Sequence, residues 1–212
     1  MAPTSNPTPT IYLIRHAEST HNLTKDFSLR DPGLTPTGFT QASALPKTFP
    51  HLSTIAVIIS SPLRRTLETT LSAFGDLITN GDVKLILDAD LQERSDLPCD
   101  TGRTPSELKG LFPGVDVAGS GLEEGWFVKE GRNAAGDEAV QGRARDVRAR
   151  LAEVVKGLEG RAREGGRRDV VVVTHGVFMK FLTGDEGIDL PKAGWRGYRV
   201  EGEGEGVRLV EV

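Results

Sequence analysis

The sequence predicts an α/β fold, a three-layer α/β/α sandwich around a mainly parallel central sheet. Three observations lead there. The apolar runs are short, rich in β-branched residues and continuous rather than alternating, as in strands covered on both faces. Helical patterns lie between them, which is the alternation of a layered α/β fold. Several of those patterns open on Thr-Pro or Ser-Pro, a capping residue followed by a residue suited to the first helical position.

The elements follow in order. Residues 1–10 (MAPTSNPTPT) carry neither a basic flank nor an apolar stretch, so they are expected to form a disordered tail rather than a secretory leader. Residues 11–14 (IYLI) are the first strand, and Thr35-Pro36 opens the first long helix. Residues 55–59 (IAVII) are the second strand. Ser61-Pro62 is expected to open the next helix, with Arg64 and Arg65 in its first turn. Residues 83–87 (VKLIL) form a third strand, and Thr104-Pro105-Ser106-Glu107 fits a capping box. The longest helix is expected over residues 137–163, with Val140, Ala144, Val147, Leu151, Val154 and Leu158 as its apolar stripe. Residues 170–173 (VVVV) and 207–210 (VRLV) complete the strands, the latter preceded by a GEGEG turn at 202–206. Residues 11–212 read as one domain, with 103–138 inserted as a cap.

Composition narrows the function. The 212 residues are 37% hydrophobic and 26% charged, enough apolar material for a core. No run approaches the roughly 18 to 20 apolar residues of a spanning helix, so no membrane role is expected. The net charge of −4 disfavours nucleic acid as a partner. The single cysteine, Cys99, excludes an internal disulfide framework and points to a reducing, cytoplasmic setting.

In open α/β sheets, ligands bind beyond the carboxyl ends of the strands. Four segments deliver chemistry there: Arg15-His16, Ser60-Ser61-Pro62 followed by Arg64 and Arg65, Glu93, and Thr174-His175-Gly176. Arginines and helix N-termini suit an oxyanion. Two histidines and a carboxylate within an anion site point to phosphoryl chemistry.

The block Leu13-Ile14-Arg15-His16-Ala17-Glu18-Ser19, with Asn22 close behind, resembles the signature of the histidine phosphatase superfamily. So do Leu34-Thr35-Pro36-Thr37-Gly38, Ser60-Ser61-Pro62-Leu63-Arg64-Arg65-Thr66, Leu91-Gln92-Glu93 and Val173-Thr174-His175-Gly176, in family order. Ala17 stands where the signature usually has glycine. The resemblance implies His16 as the nucleophile that becomes a phosphohistidine. It implies Glu93 as the proton donor to the leaving oxygen and His175 as a donor to the phosphoryl oxygens. It also implies Arg15 and Arg65 as phosphoryl clamps with Asn22 beside them. No metal and no cofactor is implied. The expected partner is a small phosphorylated substrate; no oligomeric state follows. Arg64, beside Arg65, is a candidate for the substrate rim, as are Trp126 and Lys129 in the 103–138 cap that also carries Phe127 and Arg132. The implied activity is phosphomonoester hydrolysis, with a phosphoglycerate-type mutase or a repurposed phosphate site as alternatives.

Other residues have plainer readings. His21 and His51 read as ordinary histidines, and Cys99 as an inert thiol. Asp88, Asp90, Asp96 and Asp100 read as a solvated face, and Gly119-Ser120-Gly121 as a loop. The arginine-rich run 143–168 reads as a solvent-facing helix.

Overall fold

The computed structural model describes residues 8–50, 52–163 and 166–212; His51 and most of the expected tail lie outside them. Six strands form one sheet in the order β3-β2-β4-β1-β5-β6. They are β1 (Ile11–Arg15), β2 (Ile55–Ser60), β3 (Lys84–Leu87), β4 (Asp169–Thr174), β5 (Trp195–Glu201) and β6 (Arg208–Glu211). The first four in spatial order are mutually parallel. β5 runs antiparallel to β1, and β6 pairs antiparallel to β5 across the expected glycine-rich turn. Gly202 and Gly204 take positive φ there, which glycine adopts without steric cost.

Strand residues alternate between two apolar cores, and this makes the three layers. Ile11, Leu13, Val170 and Val172 pack against α5 (Asp137–Arg163) and α6 (Gly176–Thr183). Tyr12, Ile14, Val171 and Val173 pack against α2 (Pro36–Thr48), which follows the short α1 (Thr20–Thr24), and against α3 (Arg64–Thr79). Residues 170–173 are fully buried on both faces, which is why that run reads VVVV instead of alternating. A third cluster joins Leu63, Leu67 and Leu87 to Leu108, Phe112, Val115, Val117 and Trp126. It seats the segment around α4 (Pro105–Leu111) on the start of α3. Among the described residues, no helix is long and apolar enough to cross a membrane.

Of the three helix starts expected from Thr-Pro or Ser-Pro, two follow their caps. Thr35 Oγ1 accepts from Gly38 N–H at 3.0 Å, and Pro36 takes the first helical position of α2. Thr104 and Glu107 form the expected capping box on α4. Ser61 does not cap α3, which begins at Arg64 with Leu63 as its N-cap. The Ser61 hydroxyl faces His175 instead, 3.0 Å from its Nε2.

Gly38 is where α2 meets the loop after β1. A Cβ there would collide with the Glu18 backbone oxygen, which already accepts from Thr35 N–H. Gly38→Ala is therefore expected to destabilise the fold by about 3 kcal/mol, since backbone cannot swing aside as a side chain would. A thermal melt of the variant reads this directly; an unchanged midpoint would show that the loop yields.

The arginine-rich helix needs correcting. Arg143 is 1% exposed, beneath the loop before Glu93, where its Nη1 donates to the Asp90 and Gln92 carbonyls. It sits on the apolar stripe, one residue before Ala144 and four before Val147, so helical spacing already placed it inward. Its guanidinium lies 5.0 Å from the Phe178 ring centroid. Arg148 is also engaged, donating to the Phe181, Leu182 and Val207 carbonyls. The aspartate group is likewise no plain solvated face. Asp100 is buried against Arg65, and Asp90 is buried with Arg132 and Arg150 as ion-pair partners.

Candidate active site

The carboxyl ends of β1, β2 and β4 converge, and the loop after β3 joins them. His16, leaving β1, and His175, leaving β4, have ring centroids 5.2 Å apart. Both side chains are buried. His16 Nδ1 lies 2.7 Å from the Ala17 carbonyl. A carbonyl can only accept, so Nδ1 carries the proton and Nε2 keeps its lone pair. Burial, followed by the nearby Arg65 charge, holds the His16 imidazole well below its ordinary pKa and therefore neutral. The Ala17 backbone is absent from the residues with positive φ, so alanine is accommodated at the signature's glycine position without strain.

Arg65, in the first turn of α3, is 1% exposed. Its Nη1 donates to the Cys99 carbonyl, and its Nη2 donates to Asp100 Oδ1 at 2.7 Å and to His175 Nδ1 at 3.1 Å. Arginine cannot accept, so His175 Nδ1 is the acceptor and the neutral ring carries its proton on Nε2, toward Ser61 Oγ. Burial and Arg65 also keep His175 well below its ordinary pKa.

Arg15 extends from the end of β1 to the start of α6. Its Nη1 donates to Asp189 and to the Leu190 carbonyl. A Cβ on Gly176 would come within about 3.0–3.1 Å of this guanidinium, so glycine gives Arg15 its room. Arg15 Nε and Arg65 Nε are both buried without a hydrogen-bond partner. Arg103 and Arg143 also keep donors without a hydrogen-bond partner, but those of Arg15 and Arg65 lie on the arginines next to the histidines, where they suit an incoming oxyanion.

Glu93 is held by backbone amides. Oε1 accepts from Arg94 N–H and Phe178 N–H, and Oε2 accepts from Val177 N–H. The last two belong to the first turn of α6, so the carboxylate sits at that helix's N-terminus. Burial, then the charge of Asp100, raises the Glu93 pKa above its ordinary value, against the amides that favour the anion. Arg143 fixes the carbonyls on the approach to this residue. Arg143→Met would leave those two carbonyls unpaired and cost about 3 kcal/mol. It is also expected to lower turnover by freeing the Glu93 segment. Wild-type melting and turnover together would contradict that positioning.

The remaining expected residues fall into two groups. Asn22 joins a closed network in which its Nδ2 donates to His21 Nε2, and its Oδ1 accepts from the Ser19 hydroxyl. His21 Nδ1 in turn donates to Ser19 Oγ. The His21 ring centroid is 6.4 Å from that of His16, so His21 belongs to the site's wall, beyond its plain reading. Lys129 donates from Nζ to the Glu93 carbonyl at 2.7 Å, and burial lowers its pKa to about 8.

Other candidates lie elsewhere. Trp126 is 3% exposed, with its indole N–H on the Arg103 carbonyl, and is core rather than rim. Arg64 pairs with Glu68 at 2.6 Å, and Glu68 also holds Leu34 N–H. Arg132 pairs with Asp90 and Asp146. Phe127 stacks edge-on with Trp126. Cys99 is buried, its thiol pushed up to about 11 by burial, in keeping with an inert group.

Asp189 and Lys192 complete the surroundings and escaped the sequence reading, which took Ser61 for a helix opener and Asp100 for part of a solvated face. No spacing rule ties them to the histidines; only the fold brings them near. Among the described residues, no group of three or more His, Cys, Asp or Glu side chains is arranged to hold a metal ion.

Comparison with known proteins places the chain in a family. A phosphoglycerate mutase-like protein of Arabidopsis thaliana is 26% identical over 216 residues, covering 85% of this chain and 75% of that protein. A putative phosphoserine phosphatase 2 of Hydrogenobacter thermophilus is 40% identical over 86 residues, 40% of each chain. Among solved structures, a mycobacterial glucosyl-3-phosphoglycerate phosphatase complexed with VO3 superposes with a TM-score of 0.59. It is 21% identical, over 96% of this chain and 97% of that one. The model of the histidine phosphatase superfamily (branch 1) matches residues 11–203, from the first strand to the final hairpin, and the chain belongs to that superfamily.

Proposed function

We propose that the protein hydrolyses phosphomonoesters through a phosphohistidine on His16. The observation that carries this is the tautomer: Nδ1–H donates to the Ala17 carbonyl, leaving the Nε2 of a neutral, buried imidazole with its lone pair free. In the first step Nε2 attacks phosphorus, a P–N bond forms, and the ester P–O bond breaks. The Glu93 carboxyl gives its proton to the departing oxygen. In the second step Glu93, now a carboxylate, takes a proton from water. That water attacks phosphorus, the P–N bond breaks, and His16 returns with inorganic phosphate released. Arg15 and Arg65 hold the phosphoryl oxygens through the donors that lack protein partners. His175 supplies its Nε2–H to those oxygens by exchanging Ser61 for substrate.

Arg15 and Arg65 provide the positive charge in this scheme and His175 a neutral N–H donor, so activity is expected without added metal and in the presence of a chelator. The substrate is a small phosphorylated metabolite or a phosphorylated side chain, selected by residues 103–138, of which Lys129 reaches the Glu93 carbonyl. The phosphatase names among the relatives support hydrolysis. The mutase-like relative keeps phosphoryl transfer as the second reading, which requires a bisphosphate primer and a retained phosphohistidine. Phosphate release from a panel of esters, including an aryl phosphate and 3-phosphoglycerate, separates the two. Release without primer that His16→Ala eliminates supports the hydrolase. Isomerisation only after priming would replace it with the mutase.

A further inference from the structure

Lys192 stands out among the charged residues around the site. Arg15 is paired with Asp189, Arg65 with Asp100, and Lys129 is tied to the Glu93 carbonyl. Lys192 is half-buried, yet among the described residues it makes no ion pair and no hydrogen bond.

The turn that carries it is unusually determined. Gly194 N–H closes it on the Pro191 carbonyl at 2.8 Å. The Gly194 carbonyl accepts from Arg15 N–H at 3.0 Å, and Ala193 N–H reaches the His16 carbonyl at 3.4 Å. Ala193 takes φ 58°, a left-handed conformation costly for a residue with a Cβ. Its methyl packs against the cluster of Ala17, Leu34 and Ala42. The backbone of this turn is thus bolted to Arg15 and His16, and it holds strain while delivering a lysine there.

We propose that Lys192 is a third cation on the transferred phosphoryl group, alongside Arg15 and Arg65; this rests on the hydrolase reading above. An unpaired ammonium beside two guanidinium groups is unfavourable while the site is empty. It becomes favourable when a dianion arrives, so the strained turn is compensated in the complex. The charges facing Lys192 agree. Arg15, Arg65 and Lys25 disfavour its protonation and Glu93 favours it, while burial is the largest influence; together they lower its pKa to about 7. Its charge is felt in turn by His16, His21 and His175. A bound phosphate would raise that value, so binding draws in a proton above neutrality.

The test is calorimetric titration with inorganic phosphate, alongside steady-state hydrolysis of an aryl phosphate, for wild type, Lys192→Met and Lys192→Arg. Lys192→Met is expected to weaken phosphate binding about tenfold and raise KM similarly, with kcat within about threefold. Lys192→Arg restores most of the affinity. Wild-type affinity falls as pH rises through neutrality, and Lys192→Arg flattens that fall because guanidinium keeps its proton. If Lys192→Met binds phosphate as wild type does, or Lys192→Arg is as impaired as Lys192→Met, the proposal fails while the hydrolase reading stands. If wild type neither binds phosphate nor hydrolyses the ester, both fall together.

Discussion

His16→Ala is expected to lower phosphomonoester turnover by about a thousandfold or more, since no other group can form the covalent intermediate. The fold should survive. The imidazole makes one hydrogen bond, to the Ala17 carbonyl beside it, while the backbone at this position is held by the Thr174 carbonyl and Ala193 N–H. The cost is a cavity next to His175, about 1–2 kcal/mol, visible as a modest drop in melting temperature. The cavity retains Arg15 and Arg65, so inorganic phosphate should still bind. That combination separates a lost nucleophile from a lost site: turnover gone, phosphate affinity kept. A variant with wild-type turnover would remove His16 from the reaction.

Glu93→Gln has the second largest expected effect, and it depends on the leaving group. Alkyl phosphates depart as strongly basic alkoxides and need a proton in the transition state; aryl phosphates with electron-poor rings do not. The substitution is expected to slow alkyl esters by about a hundredfold or more and activated aryl esters by under about tenfold. Glutamine can keep the Arg94 and Phe178 amides on its carbonyl oxygen, but turns an N–H toward Val177 N–H. The segment therefore stays in place at a small cost in stability.

The pH profile follows from the same group. Glu93 acts as an acid only while protonated. Burial and Asp100 raise its pKa, so the protonated form persists above the usual carboxylate range and is lost as pH rises further. Turnover of alkyl esters should fall on that alkaline side, and Glu93→Gln should flatten the limb. His16 and His175 are held well below their ordinary values, so neither imposes a limb near pH 6.5. Equal slowing of both ester types would take the acid role away from Glu93.

Most of the architecture was legible because it rests on local rules. The VVVV run announces a strand buried on both faces, and the stripe from Val140 to Leu158 announces α5. The Thr35 cap fixes the start of α2 beside the loop after β1. What stayed hidden depends on tertiary contacts. Ser61 follows a helix-opening pattern, yet its hydroxyl turns to His175 because α3 starts later. Trp126 is the large aromatic a substrate rim invites, but the cluster around Leu108 and Phe112 claims its surface. β5 begins with Trp195, Arg196 and Gly197, and too little apolar patterning marks it as a strand. Asp100 and Lys192 are single charges in loops, without period or partner in sequence. Arg143 is different: its place on the apolar stripe was readable, and the arginine-rich run concealed it.

The central claim is a phosphoryl group carried by His16 Nε2, and the direct measurement is to trap it. Wild-type protein mixed with an aryl phosphate and quenched within one turnover in mild alkali, where phosphohistidine survives, should show a mass increase of one phosphoryl group on the peptide containing His16. The adduct should be lost on acid treatment and absent from His16→Ala. A label on a serine, an acid-stable adduct, or rapid phosphate release with no labelled His16 peptide at any quench time would contradict the account.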